Sequence, residues 1–150
     1  MFFGSTSAIV DSIVKFIPTA REGTAKKVQQ YYTGQENKDF MTAISKCDEK
    51  ETLIINVVKL YNKPSCLSFD AFGRVISGTI SKRQSVKILG ENYSLEDEED
   101  MAIKTVTNLW IYQGRYRVEV DSVSAGNWVL IEGIDQSITK VSLYLNSLTP

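Results

Sequence analysis

The sequence contains no histidine, and it has only two cysteines and three prolines among 150 residues. Without imidazole groups, acid–base, nucleophilic and metal chemistry that depends on histidine is excluded. Cys47 and Cys66 do not form a Cys-x-x-Cys pair, and no secretory signal precedes them. We therefore expect a reduced intracellular protein whose cysteines are ordinary packing or surface residues.

The net charge is also close to zero, because the sequence has 17 basic and 18 acidic residues. The molecule as a whole therefore sets up no field that would attract nucleic acid or an anionic membrane, and any such contact needs a local patch. No apolar run reaches the length that a bilayer span requires. We expect a monomer of one domain that does not contact membranes.

One short stretch imitates a nucleotide-binding motif. "GRVISGTI", at residues 73–80, has the two glycines and the threonine of a phosphate-binding loop but not its lysine. A phosphate-binding loop must lead into a helix, whereas the residues after Gly78 show no helical period and return to a strand by Val86. The glycines instead indicate a bulge, a tight bend or a close approach of another backbone.

The N-terminal third predicts little regular structure beyond one helix. Ile9, Ile13 and Ile17 recur at helical spacing, a cap is available among Ser5, Thr6 and Ser7, and Pro18 ends the helix. So short a helix must bury its stripe, either on the rest of this chain or on a preceding domain. Residues 19–50 are polar and predict a linker, with at most one helical turn at residues 40–44.

Seven β-branched runs bounded by turn residues follow residue 51. In "YRVEVDSV" the alternation places Tyr116, Val118 and Val120 on a buried face and Arg117 and Glu119 on a wet one. Short strands at regular spacing, without intervening helices, predict an all-β sandwich or barrel. No arrangement of titratable residues suggests a catalytic site.

The central part of the chain resembles a known family. "FDAFGRVISGTISKRQSVKILG" is similar to the β-barrel that follows the GTPase domain in translation-factor GTPases, through Arg74, Val75, Ser77, Gly78 and the turn at residues 82–84. "LGENYSLEDEED" and "AGNWVLIEGIDQ" resemble one branch of that family, the elongation-factor-like GTPases of the spliceosomal U5 small nuclear ribonucleoprotein. The turn at residues 82–84 differs from the family, in which this turn usually contains a glycine.

This resemblance implies a mainly β fold, an antiparallel β-barrel like domain II of translation factors, with a short N-terminal helix and a polar linker. Residues 1–50 would be the helix and linker that join a GTPase domain outside this sequence to the barrel at residues 51–145. The GTPase motifs are absent from the sequence. The resemblance therefore implies a non-catalytic, nuclear module without a cofactor of its own, while GTP and Mg²⁺ belong to the GTPase domain.

Two functions remain open from the residues. The first is a structural and interaction module that couples the GTPase domain to spliceosomal proteins, with weak RNA contact at most. The second is an autonomous single-stranded RNA-binding barrel, in which Trp110, Tyr112 and Tyr116 would stack bases, although aromatics along strands more often pack across strands. The candidate interaction residues are Arg74, Lys82, Arg83, Arg115 and Arg117, together with the acidic run Glu96, Asp97, Glu98, Glu99 and Asp100, which is either a solvated loop or a docking surface for a basic partner.

Overall fold

A computed structural model describes residues 6–31, 45–63, 65, 67–89, 101–135 and 144–147. Two helices precede ten strands in the described part of the chain. The helices are α1 (Ser7–Phe16) and α2 (Ala20–Tyr31), and the strands are β1 (Ile54–Asn62), β2 (Phe69–Ser77), β3 (Thr79–Ser81), β4 (Ser85–Leu89), β5 (Met101–Thr105), β6 (Leu109–Gln113), β7 (Tyr116–Val120), β8 (Ser122–Ser124), β9 (Trp128–Ile131) and β10 (Tyr144–Ser147).

Helix α1 forms where the apolar spacing predicts it, but it buries no residue. Its large apolar side chains remain exposed, including Ile9 at 63% and Val14 at 78%. Thr6 occupies the N-cap position without a side-chain hydrogen bond, and the extended Ile17 before Pro18 ends the helix. The apolar stripe of α1 therefore does not pack on the rest of the described residues, so the first of the two possibilities for this stripe is wrong there.

Helix α2 corrects the prediction of a polar linker over residues 19–50. It begins with a capping box, because the Glu22 amide donates to Thr19 Oγ1 at 3.4 Å and the Thr19 amide donates to Glu22 Oε2 at 3.3 Å. These reciprocal bonds satisfy amides that a helix start otherwise leaves free, so the helix forms without an apolar stripe. The helical turn predicted at residues 40–44 lies outside the described residues.

The strands form an eight-stranded sheet in the order β5-β4-β10-β1-β2-β9-β6-β7 and a two-stranded sheet of β3 and β8. Every pair is antiparallel. The mainly β, antiparallel architecture is therefore confirmed. Among the described strands no pairing joins the outer strands β5 and β7, so a closed barrel stays a prediction. No helix in the described part is long and apolar enough to cross a membrane.

The main core is one cluster of apolar side chains to which both sheets contribute. Ile55 and Val57 of β1, Val75 of β2 and Ile131 of β9 are fully buried there, and Ile80 of the small sheet packs against the same cluster. Alternate residues of each strand supply this core, as the period of two along a strand requires. Burying some fourteen apolar side chains in one cluster is what holds the strands in register.

Ten strands replace the seven predicted because three of the runs break at turns or bends. The run through Gly78 divides into β2 and β3, since this glycine has φ +75° and a Cβ there would lie 2.6 Å from Leu53 Cα. The close backbone approach predicted for the glycines is confirmed at this position. In β7, Val118 and Val120 are on the less exposed face, as predicted, but they are half-buried rather than buried. The prediction for Tyr116 is wrong, because its side chain at the hairpin end is 62% exposed.

Candidate interaction surface

Lys82 and Arg83 form the turn between β3 and β4, as predicted, but the Lys82 charge is engaged within the protein. Its ammonium lies 2.6 Å from Glu119 Oε1 and 3.2 Å from Asp121 Oδ1. The hydrogen bond to Glu119 is the main cause that raises the pKa of Lys82 above its ordinary value. Arg83 takes a left-handed φ of 61°, a conformation that residues other than glycine rarely adopt.

Arg117 belongs to a network of charges at one end of β1, β2 and β9. Its Nη1 donates to Asp70 Oδ2 at 3.0 Å, and Lys63 Nζ lies 3.5 Å from Asp70 Oδ1. Lys63 also donates to Glu132, which accepts a second bond from Asn108 Nδ2 at 3.0 Å. Asp70 is 2% exposed, so this carboxylate is buried between two cations rather than available to a ligand.

The same network shifts two titrations in opposite directions. The hydrogen bond to Glu132 is the main cause that raises the pKa of Lys63, although burial opposes it. The hydrogen bonds from Lys63 and then from Asn108 lower the pKa of Glu132. Both groups are thereby held in their charged forms at neutral pH, as a structural ion pair requires.

Arg74 holds α2 against the sheet. Its Nη2 donates to the carbonyl of Ala20 at 3.4 Å, and its Nε is buried without a hydrogen-bond partner among the described residues. Nearby, a Cβ on Gly126 would lie 3.0 Å from Ala20 Cβ, which shows how closely α2 approaches the turn before β9. Arg74 is half-buried, so its first role is in packing the helix rather than in binding a partner.

Arg115, like Arg83, is a predicted basic residue whose side chain stays exposed. It lies 5.1 Å above the Tyr116 ring and donates from Nη2 to the Tyr116 hydroxyl at 3.0 Å. No carboxylate pairs with it among the described residues. The acidic run at residues 96–100 lies outside the described residues, so its role as solvated loop or docking surface stays a prediction.

A layer of aromatic side chains covers the outer face of β1, β2, β9 and β6. Phe72 stacks on Trp128 with centroids 5.1 Å apart, and Tyr112 meets the Phe72 ring edge-on at 6.2 Å. Tyr61 contacts Phe72 at 5.8 Å and Tyr112 at 6.1 Å. This aromatic layer contains one of the predicted base-stacking residues, Tyr112, whereas its other three members were not predicted from the sequence.

Cations of the chain itself lie over the tyrosines of this layer. Lys59 Nζ is 4.9 Å from the Tyr61 centroid, and the Arg117 guanidinium is 5.7 Å from the Tyr112 centroid. Such contacts occupy a ring face that a stacking base would need, and Phe72 and Trp128 occupy one face of each other. The aromatic residues are therefore engaged mainly in packing across strands.

Comparison with known proteins agrees with this architecture. Residues 70–141 match the family described as Elongation factor Tu domain 2. This part of the chain is therefore similar to that family, and the resemblance noted in the sequence is confirmed.

The chain is also similar to much longer proteins. It is 51% identical, over 97% of its length, to the 109 kDa U5 small nuclear ribonucleoprotein component GFL of Arabidopsis thaliana and equally to the 110 kDa component CLO of that plant. It is 43% identical, over 94% of its length, to the pre-mRNA-splicing factor cwf10 of Schizosaccharomyces pombe. The chain spans 14–15% of the length of these relatives.

Proposed function

We propose that this chain is a non-catalytic β-domain of a U5 small nuclear ribonucleoprotein GTPase that acts in pre-mRNA splicing. The domain serves as an interaction module that couples the GTPase domain to neighbouring proteins of the particle in the nucleus. GTP and Mg²⁺ are bound by the GTPase domain, and this domain holds no cofactor of its own. The identity of about one residue in two to two U5 components supports the assignment to that particle.

The observation that carries the interaction role is the internal neutralisation of the basic residues. Lys82 is paired with Glu119 and Asp121, and Arg117 is paired with the buried Asp70. RNA affinity grows with the number of phosphates that unpaired cations neutralise, and these ion pairs remove Lys82 and Arg117 from that number. A protein surface is the better partner for a mixed aromatic and paired-charge face, because interfaces are enriched in aromatic residues and arginine.

The exposed stripe of α1 supports the attachment to a preceding GTPase domain. Ile9 and Ile13 lie on one side of the helix and are 63% and 49% exposed, and Ile17, which follows its end, is 63% exposed. An apolar stripe of this kind is stable in water only when another surface covers it. Residues 1–50 then connect that domain to the β-domain at residues 51–145.

Affinity purification tests the proposed function. The 150-residue chain, tagged and incubated with nuclear extract, should enrich proteins of the U5 particle, identified by quantitative mass spectrometry. The enrichment should persist after ribonuclease treatment, because the proposed contacts are between proteins. Enrichment that disappears with the RNA would instead favour the single-stranded RNA-binding barrel.

A further inference from the structure

The ladder between β6 and β9 ends before either strand does. It pairs Leu109 with Ile131 and Trp110 with Leu130, although β6 continues to Gln113 and β9 begins at Trp128. The amide of Glu132 donates to the Asn108 carbonyl at 3.0 Å, so Asn108 directs its backbone groups toward β9. Because this direction alternates along a strand, Trp110 and Tyr112 do the same.

On the opposing strand β9, backbone N–H and C=O groups point toward β6 at matching positions. Val75 donates its amide to the Asn127 carbonyl at 2.9 Å, so Asn127 faces β2 and the next residue, Trp128, faces β6. Tyr112 and Trp128 therefore direct backbone N–H and C=O groups into the same gap, two positions beyond the last pair of the ladder. We call this gap the β6–β9 notch.

The β6–β9 notch is a cavity of about 610 Å³ with an apolar floor. Ile111, Val120 and Val123 line it on the core side, and Phe72, Tyr112 and Trp128 line it on the outer side. Trp128 is 43% exposed and Tyr112 is 38% exposed. Open strand edges beside an apolar hollow are the features that bind an added strand, through main-chain hydrogen bonds and pockets for alternate side chains.

Two exposed cations lie on the side of the notch that Tyr112 lines. Arg115 is in the hairpin turn next to Tyr116, and Lys59 is beside Tyr61, which contacts Tyr112. Both are exposed, and neither has a carboxylate partner among the described residues. Charge complementarity therefore favours acidic groups in a ligand that emerges at this end.

We propose that the β6–β9 notch binds an extended peptide segment of a partner protein, apolar where it lies over the notch floor and acidic at the Tyr112 end. The peptide backbone bonds to the free groups of Tyr112 or Trp128, and one apolar side chain enters the space above Ile111. Acidic residues of the peptide then meet Arg115 and Lys59. This identifies the partner surface of the interaction module and so rests on the proposed function.

Peptide selection tests the proposal directly. A phage-displayed library of random peptides of about 12 residues, panned against the 150-residue chain, should yield sequences that combine an apolar alternation with acidic residues at one end. Ser124→Phe, which fills the notch from its half-buried edge, should weaken the selected peptides by about tenfold or more. A selection without that pattern, or equal binding to Ser124→Phe, would overturn the proposal.

A charge variant leaves the residues that line the notch unchanged. The double variant Lys59→Glu with Arg115→Glu changes two exposed side chains and should weaken the selected peptides about three- to tenfold, more at low salt. The matched control Lys50→Glu, an exposed lysine before β1, should leave binding unchanged. Equal weakening by both variants, or competition for the notch by an oligouridine probe, would contradict a peptide site.

Failure of this proposal can be separated from failure of the proposed function. If the Ser124→Phe chain binds the selected peptides as tightly as the unsubstituted chain and still enriches U5 proteins from nuclear extract, the interaction role stands. The notch is then not the partner surface. If the unsubstituted chain enriches none of these proteins, the proposed function itself fails. Circular dichroism of each variant confirms that the β structure is intact.

Discussion

The ring of Phe72 lies nearly parallel to the indole of Trp128, with 9° between the planes. Phe72 is also the cross-strand partner of Leu130, which is fully buried on the face away from the main core. The two rings thus lie on the same face of the sheet as Leu130, away from the core that Val129 and Ile131 enter. Removal of either ring should make Leu130 more exposed.

We expect Trp128→Ala to lower the free energy of unfolding by about 1–3 kcal/mol, because it removes both the stacking and the cover over Leu130. Trp128→Phe keeps an aromatic ring against Phe72 and should lose less than half as much. Urea denaturation followed by circular dichroism measures both variants. Equal losses would show that the stacked pair contributes nothing beyond its size.

Gly78 and Gly114 offer a matched test of backbone crowding, since both have positive φ. Gly78→Ala brings a Cβ to 2.6 Å from Leu53 Cα, whereas a Cβ on Gly114 meets nothing within 4 Å. We expect Gly114→Ala to cost about 1–2 kcal/mol from its conformation alone, and Gly78→Ala clearly more, because the backbone of residues 51–53 must move. Similar midpoints in urea would contradict the close approach at Gly78.

Strand β7 gives a test of register. Val120 packs against the core and Glu119 is exposed, so Val120→Asp should cost about 2–4 kcal/mol by burying an unpaired carboxylate. Glu119→Lys places a second cation beside Lys82, and it should lower the denaturation midpoint only slightly and less at high salt. Comparable losses for the two variants would place the strand one residue out of register.

We expect the ion pair of Glu132 to contribute less to the stability of the folded protein at acid pH. Its pKa is lowered in the folded protein from an ordinary value near 4.5, chiefly by the hydrogen bond from Lys63. The stability it contributes is therefore complete above about pH 4.5 and is lost as pH falls through the lowered pKa. The difference in unfolding free energy between the unsubstituted chain and Glu132→Gln should shrink between about pH 6 and pH 3. A difference that is constant with pH would contradict the role of this ion pair.

Single-stranded RNA should bind weakly, because Arg117 and Lys82 are already neutralised by carboxylates. Gel-shift titration near physiological salt should give a dissociation constant no tighter than about 10⁻⁵ M, the non-specific range known for DNA. Submicromolar binding that Arg115→Ala and Arg117→Ala abolish would reverse this ranking and favour an RNA-binding barrel.

The strands and part of the core could be predicted from the sequence because their signals are local. Alternation in β7 placed Val118 and Val120 correctly, and a turn residue separates most of the runs. Helix α2 was missed because it has no apolar stripe, although Thr19 and Glu22 stand at capping-box spacing in the sequence. That spacing was the signal that could have identified it.

The interaction surface could not be predicted as well, because its decisive contacts join residues far apart in the chain. Lys82 meets Glu119 thirty-seven residues later, and Arg117 meets Asp70 forty-seven residues earlier. From composition alone, each of these side chains would be taken as a charge without a partner. Likewise, the outward position of Phe72, Trp128 and Leu130 depends on how β2 and β9 pair, which the separate runs do not specify.

Helix α1 has a consequence for experiments on this chain. A helix of ten residues is marginal in water on its own, and α1 receives no stabilisation from burial in the described residues. Its helicity therefore depends on whatever covers Ile13 and its neighbours. The far-ultraviolet circular dichroism signal of α1, or a fluorophore attached next to it, thus becomes a reporter of any surface that covers these side chains.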